Sequence, residues 1–154
     1  MIEEFWQAYL ATVDEKSGIA DQLYQSWHFM TDDPKDEAFA DELTELVKNG
    51  EKTATATLAY IYERNQEPMP QVGSYHILTT FAGRPTNVVR VTKTSCVPFS
   101  EVSAEHAYLE GEGDRSLAYW RAIHHCFFTE LMESFDKEFS EDLMVLCFEF
   151  IVVY

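Results

Sequence analysis

Lys52 lies in the run Asn49-Gly50-Glu51-Lys52-Thr53-Ala54-Thr55-Ala56 of a chain with 11 basic and 27 acidic residues. A lysine beside two hydroxyls can hold an anionic group. Carboxylates for proton transfer are concentrated in Glu110-Gly111-Glu112-Gly113-Asp114, where glycine lets the backbone turn sharply and aim Glu110 or Glu112 inward. His124 falls on the apolar stripe of Leu117, Trp120, Phe127 and Leu131. Burial there would keep it neutral, which suits a general base or a hydrogen-bond donor. His125 points about a quarter-turn away and is expected in solvent.

Other charged residues are few enough to weigh singly. Arg90 interrupts Val88-Val89-Val91, and an inward arginine would need an anionic partner, although alternation equally allows it to face out. Arg84, Arg115 and Arg121 are the next arginines to consider, and Glu149 in the last apolar run reads as an outward residue or half of an ion pair. The carboxylates at 110, 112 and 114 lack the remaining ligands of a calcium loop, so no metal is expected. Asp114 reads as a helix cap. No phosphate-binding glycine loop, dinucleotide fingerprint, zinc spacing or serine-nucleophile elbow occurs. Chemistry must be assembled from Lys52, a hydroxyl, a glutamate and His124, with no cofactor.

The elements that would position these residues follow from periodicity and punctuation. A first helix spans 3–13, with Phe5, Trp6, Tyr9, Leu10 and Val13 on one face. A short helical turn and then an extended piece at Trp27–Phe29 come next. Asp33 and Pro34 open a helix over 34–48, and Asn49-Gly50 end it. Lys52 therefore emerges just past a helix end, where it could be an exposed lysine near the negative pole of the dipole or line a pocket. Residues 56–64 read as a short helix. Ser74–Phe81 and Thr86–Val97 form a hairpin around Ala82-Gly83-Arg84. A helix capped by Ser100 or Ser103 runs to about Leu109, a longer one runs from Asp114 to about Ser134, and Leu143–Tyr154 is a strand covered on both faces.

The 154 residues suit one α+β domain that buries roughly 70% of its unfolded surface. Cys96, Cys126 and Cys147 are odd in number and read as free, mostly buried thiols of a reducing compartment. The acidic start Met1-Ile2-Glu3-Glu4 and the lack of a long apolar run point to a cytoplasmic protein with no membrane partner. A formal net charge of −16 opposes extended contact with duplex DNA.

Several of these pieces occur in one order: Gly50-x-Lys52-Thr53-Ala54-Thr55-Ala56, Pro70-x-x-Gly73, Pro98-Phe99-x-x-Val102, Glu110-Gly111-Glu112-Gly113-Asp114, Trp120-x-x-x-His124-x-x-Phe127-Phe128, and a terminal strand ending Val152-Val153-Tyr154. In this the chain resembles the ASCH domain family in its longer bacterial form, from about Trp27 to the C-terminus. Trp27-His28-Phe29-Met30 departs from the family's aromatic-x-Phe-Gly. The resemblance implies a PUA-like fold, a small β-barrel flanked by helices, as a single domain over 1–154 with a helical extension at about 1–26.

The resemblance also implies an RNA, nucleotide or nucleoside ligand. The first expectation is metal-independent, ribonuclease-type hydrolysis centred on Lys52; the alternatives are amidohydrolysis of an acylated, modified cytidine nucleoside, with Lys52 as base toward Thr55 or a water if burial lowered its pKa, and RNA binding without catalysis. The candidate catalytic residues are Lys52, Thr55, Glu110, Glu112 and His124. The candidate ligand-binding residues are Gly50, Thr53, Tyr75, Arg90, Arg115 and Trp120, with Tyr60 as a further stacking face in the binding-only reading.

Overall fold

The computed structural model describes residues Met1–Tyr154. Its centre is a five-stranded mixed sheet in the order β1-β3-β4-β5-β2. The strands are β1 (Tyr24–Trp27), β2 (Ala54–Leu58), β3 (Tyr75–Thr79), β4 (Pro85–Pro98) and β5 (Met144–Val152). Only β1 and β3 run parallel. The two β-prone runs expected at Ser74–Phe81 and Thr86–Val97 yield the β3–β4 hairpin, with Gly83 at φ 84° in its loop. The apolar run at the C-terminus becomes β5, paired on both sides, by β4 and β2.

The edges β1 and β2 do not pair with each other, so the sheet is open and barrel-like at most. The expected α+β architecture with helices around a small barrel-like sheet is present, with the barrel left open between these edges. A register shift between Val91 and Lys93 interrupts the β4–β5 ladder, as a bulge does where a sheet bends.

Three apolar cores hold the helices to the sheet. Alternation along β5 separates two of them. Leu146, Phe148 and Phe150 join Phe29 and helix α2 (Glu37–Lys48), while Val145 and Cys147 join helices α3 (Ala59–Asn65), α4 (Ala104–Glu110) and α5 (Leu117–Glu133). Helix α1 (Ile2–Leu10) forms the third, with Trp6 and Tyr9 against Tyr75, Ile77 and Val88.

Local differences from the sequence reading have local causes. Residues 56–64 are not one helix, because β2 takes Ala54–Leu58 by pairing with β5 before α3 begins. Helix α5 is capped by the Ser116 hydroxyl rather than by Asp114, whose carboxylate accepts from Ser116 N instead. Of the cysteines only Cys147 is buried, whereas Cys96 and Cys126 are exposed. Glu149 is partly exposed and pairs with Lys93 at 3.5 Å.

Candidate active site

The end of α2 places Lys52. Gly50 adopts φ 79°, and the chain turns back so that the N–H groups of Glu51 and Lys52 both donate to Leu46 O, at 2.9 and 3.1 Å. Thr53 N then donates to Leu109 O at 2.8 Å, tying this segment to the last turn of α4. That turn carries the acidic loop. Gly111 caps α4 at φ 72°, and a Cβ there would lie 2.2 Å from Glu51 O. Glycine is thus required both for the backbone conformation and for the close approach of the two segments. Arg115 clamps the same junction, donating to Tyr108 O at 2.9 Å and Glu51 O at 3.2 Å while lying over the Tyr108 ring.

Lys52 is 1% exposed and is not a surface lysine. Its Nζ donates to Glu110 Oε1 at 3.0 Å and to Glu112 Oε2 at 3.1 Å. Burial alone pushes its pKa down, but the two carboxylates outweigh burial and hold it above its ordinary value. The expectation of a lysine base with a lowered pKa is therefore corrected: this group is an ammonium.

Opposite shifts act on the two carboxylates. Burial opposes ionisation of Glu110, yet Lys52, His124 and His106 hold its pKa well below the usual range. Its Oε2 also accepts from His106 Nε2 at 2.9 Å and from Trp120 Nε1. For Glu112, burial and the neighbouring charge of Glu110 outweigh Lys52, and its pKa is raised. Lys52 is the sole hydrogen-bond partner of the Glu112 carboxylate.

His124 stacks on Trp120 at 4.1 Å and donates from Nδ1 to Trp120 O at 2.9 Å. Its Nε2 faces Glu110 Oε2 at 3.8 Å. Donor atoms of Glu110, Glu112 and His124 lie within 4.8 Å of one another, close enough for a small cation. The Lys52 ammonium bonds both carboxylates and takes that role.

These residues line one cavity of about 700 Å³ between the two unpaired sheet edges, with Gln25–Trp27 on one side and Thr55–Thr57 on the other. Lys52, Thr55, Glu110, Glu112 and His124 all contribute to it. The Thr55 side chain sits on the Phe148 face of β2 and has no hydrogen-bond partner within the protein. Trp27 brings a partly exposed aromatic ring to the lining, with the buried rings of Phe29 and Phe148 packed behind it. Met30 holds φ 66° at the position where the family pattern carries glycine, so the backbone there keeps the left-handed turn despite the departure in sequence.

Other candidates lie elsewhere. Gly50, Thr53 and Arg115 build the junction behind Lys52, and buried Trp120 orients Glu110 and His124. None of the four lines the cavity. Tyr75 packs under α1, Arg90 is its partner across the β3–β4 ladder, and Tyr60 packs on Phe135, all outside the lining.

Two histidines at the site escaped the sequence reading. His106 stands four residues before Glu110 on α4, a spacing that places both on one helix face and was the available signal. His76 lines the cavity from the second position of β3. Its Nδ1 accepts from Trp27 Nε1 at 3.0 Å, leaving Nε2–H to donate to Ser74 Oγ at 3.0 Å. Burial lowers its pKa to about 4.

A family model described as ASCH domain matches residues 25–154. The structure is similar to the crystal structure of an ASCH domain from Lactobacillus crispatus JV V101, with a TM-score of 0.89, 33% identity, and coverage of 99% of this chain and 93% of that one. It is also similar to a crystal structure of a protein from Enterococcus faecalis V583, with a TM-score of 0.82, 30% identity, and coverage of 97% and 86%. A search of curated proteins finds no match.

Proposed function

Because the chain belongs to the ASCH domain family, a PUA-like fold associated with RNA, we propose that its cavity hydrolyses the amide of a neutral, acylated cytidine-type nucleoside. The observation that carries this reading is the pairing of Lys52 with two buried carboxylates. Lys52 is the one lysine or arginine side chain lining the cavity, and its charge is already matched by Glu110 and Glu112. A phosphodiester brought beside them would add uncompensated negative charge in a buried place. A neutral nucleoside amide adds none, and the partly exposed Trp27 ring offers a face for its base. The ribonuclease reading ranks behind for this reason.

Two carboxyls pushed apart in pKa fall naturally into two roles. Glu110 stays ionised and fixes the Lys52 ammonium. Glu112 keeps one oxygen without a protein partner and has a pKa moved toward neutrality, so it acts as the proton carrier. A water beside it gives up a proton to Glu112 as its oxygen attacks the amide carbon. Charge building on the carbonyl oxygen is met by the Thr55 hydroxyl and by the field of Lys52. When the C–N bond breaks, Glu112 returns the proton to the leaving exocyclic nitrogen. The products are a carboxylic acid and the free amine of the base. Water rather than Thr55 is the nucleophile, because Thr55 has no base within hydrogen-bond distance.

Incubation with N4-acetylcytidine, N4-hexanoylcytidine and a labelled single-stranded RNA, read by chromatography, tests this assignment. Release of cytidine with intact RNA is expected. Cut RNA and intact amides would establish the nuclease reading instead, and saturable RNA binding without any product would establish the binding module.

A further inference from the structure

Resting on the amidohydrolase reading, we infer that the acyl group this chain removes is large and apolar, held along a wall built by α3, α5 and Phe135, two residues beyond α5. The two ends of the cavity differ in chemistry. From β1 and the segment after it come Gln25, Ser26, His28, Thr31 and Asp32 beside the ring of Trp27, a mixture of hydrogen-bonding groups and a stacking face. That mixture suits a nucleobase and its sugar.

Beside the exposed Asn65 and Glu67, α3, α5 and the turn after α5 contribute Ile61, Ile123, Phe127, Leu131 and Phe135. Each is only partly buried, so apolar surface is left facing the cavity. Phe127 and Leu131 follow His124 at three and seven residues along α5, near one flank of the helix. At 1.5 Å per residue the wall reaches about 10 Å from His124, the span of an extended acyl chain of about six to eight carbons. An acetyl group ends within one bond of the carbonyl and leaves this surface wet. The cavity's volume of about 700 Å³ likewise lies in the range that encloses drug-sized ligands.

The test compares N4-hexanoylcytidine with N4-acetylcytidine, whose amides have closely similar intrinsic reactivity. We expect kcat/KM to favour the hexanoyl compound at least roughly tenfold, the discrimination a hydrophobic pocket provides. In Leu131→Asp, checked for folding by thermal unfolding, that ratio should shrink toward one. A second measurement needs no turnover: N4-hexylcytidine and N4-methylcytidine contain no carbonyl, and their binding is read by quenching of tryptophan fluorescence. The hexyl compound should bind at least roughly tenfold more tightly. Hydrolysis of both amides with equal or greater preference for acetyl overturns the inference and leaves the hydrolase reading standing. Equal binding of the two alkyl compounds overturns it as well. Turnover of neither amide contradicts the hydrolase reading itself, and the inference falls with it.

Discussion

Glu110 and Glu112 reach the same Lys52 ammonium from either side of Gly111, at 3.0 and 3.1 Å, yet their carboxyls are driven in opposite directions. Glu110 is surrounded by donors, with His106 and Trp120 completing its coordination. Glu112 has Lys52 alone. One cation thus supports a permanently ionised carboxylate and a second that can exchange a proton.

Removing the cation should expose the cost of burying both acids. Lys52→Met leaves two uncompensated carboxylates and is expected to lose about 3–5 kcal/mol at neutral pH. Acidification should restore part of that loss as the carboxyls take up protons. Urea unfolding of the variant and the parent at pH 7 and pH 5 measures both effects. An undiminished stability at pH 7 would show that the ion pairs are not held as described.

Gly111 should tolerate no side chain, because a Cβ would meet Glu51 O at 2.2 Å and Lys52 N at 3.1 Å at φ 72°. Gly111→Ala is expected to cost on the order of 3 kcal/mol. Gly83 has a similar φ of 84° but open space around it, so Gly83→Ala should cost only about 1–2 kcal/mol. Comparable losses in the two variants would show that the approach of Glu51 to Gly111 is not close.

How much of this was visible in the sequence depends on the range of the interactions involved. Asn49-Gly50 marks the end of α2, the β3–β4 hairpin follows from two β-prone runs around Ala82-Gly83-Arg84, and β5 is a nearly continuous apolar run broken only by Glu149, because each is dictated by neighbouring residues. Lys52, Thr55, Glu110, Glu112 and His124 were all named, and they share one cavity. The direction of the Lys52 shift was not legible, since it depends on carboxylates 58 and 60 residues away being brought within hydrogen-bond distance. Strand β2 was hidden because Thr53–Leu58 mixes alanine and threonine and runs into α3 without a side-chain cap. Tyr75 and Arg90 were misplaced for a related reason: nothing local reveals that α1 covers their end of the sheet.

His76 should make stability depend on pH. Its pKa falls from 6.5 to about 4 on folding, so the unfolded chain takes up a proton that the folded one refuses. The stability it contributes is fully present above pH 6.5 and is lost as pH falls toward 4, by about 3 kcal/mol in all. Unfolding titrations of the parent and His76→Gln across that window should differ in slope by about one proton. Parallel curves would place the His76 proton equilibrium outside this range.

Thiol reactivity should divide by location. Cys96 and Cys126 are exposed, while burial pushes the Cys147 thiol up to about 12. Iodoacetamide at neutral pH should label the first two in the native protein and reach Cys147 only after unfolding, as read by mass spectrometry. Rapid native labelling of Cys147 would contradict the packing of β5 against α5.

The most direct measurement is the pH profile of kcat for N4-acylcytidine hydrolysis in the parent and in Glu112→Gln. As the base, Glu112 is active when ionised, so the parent rate should fall on acidification along a limb above the ordinary glutamate value of 4.5. Glu112→Gln should lose about 10²–10⁴-fold in kcat and no longer show that limb. Parental kcat and an unchanged acid limb in Glu112→Gln would contradict the assignment of Glu112 as the proton carrier.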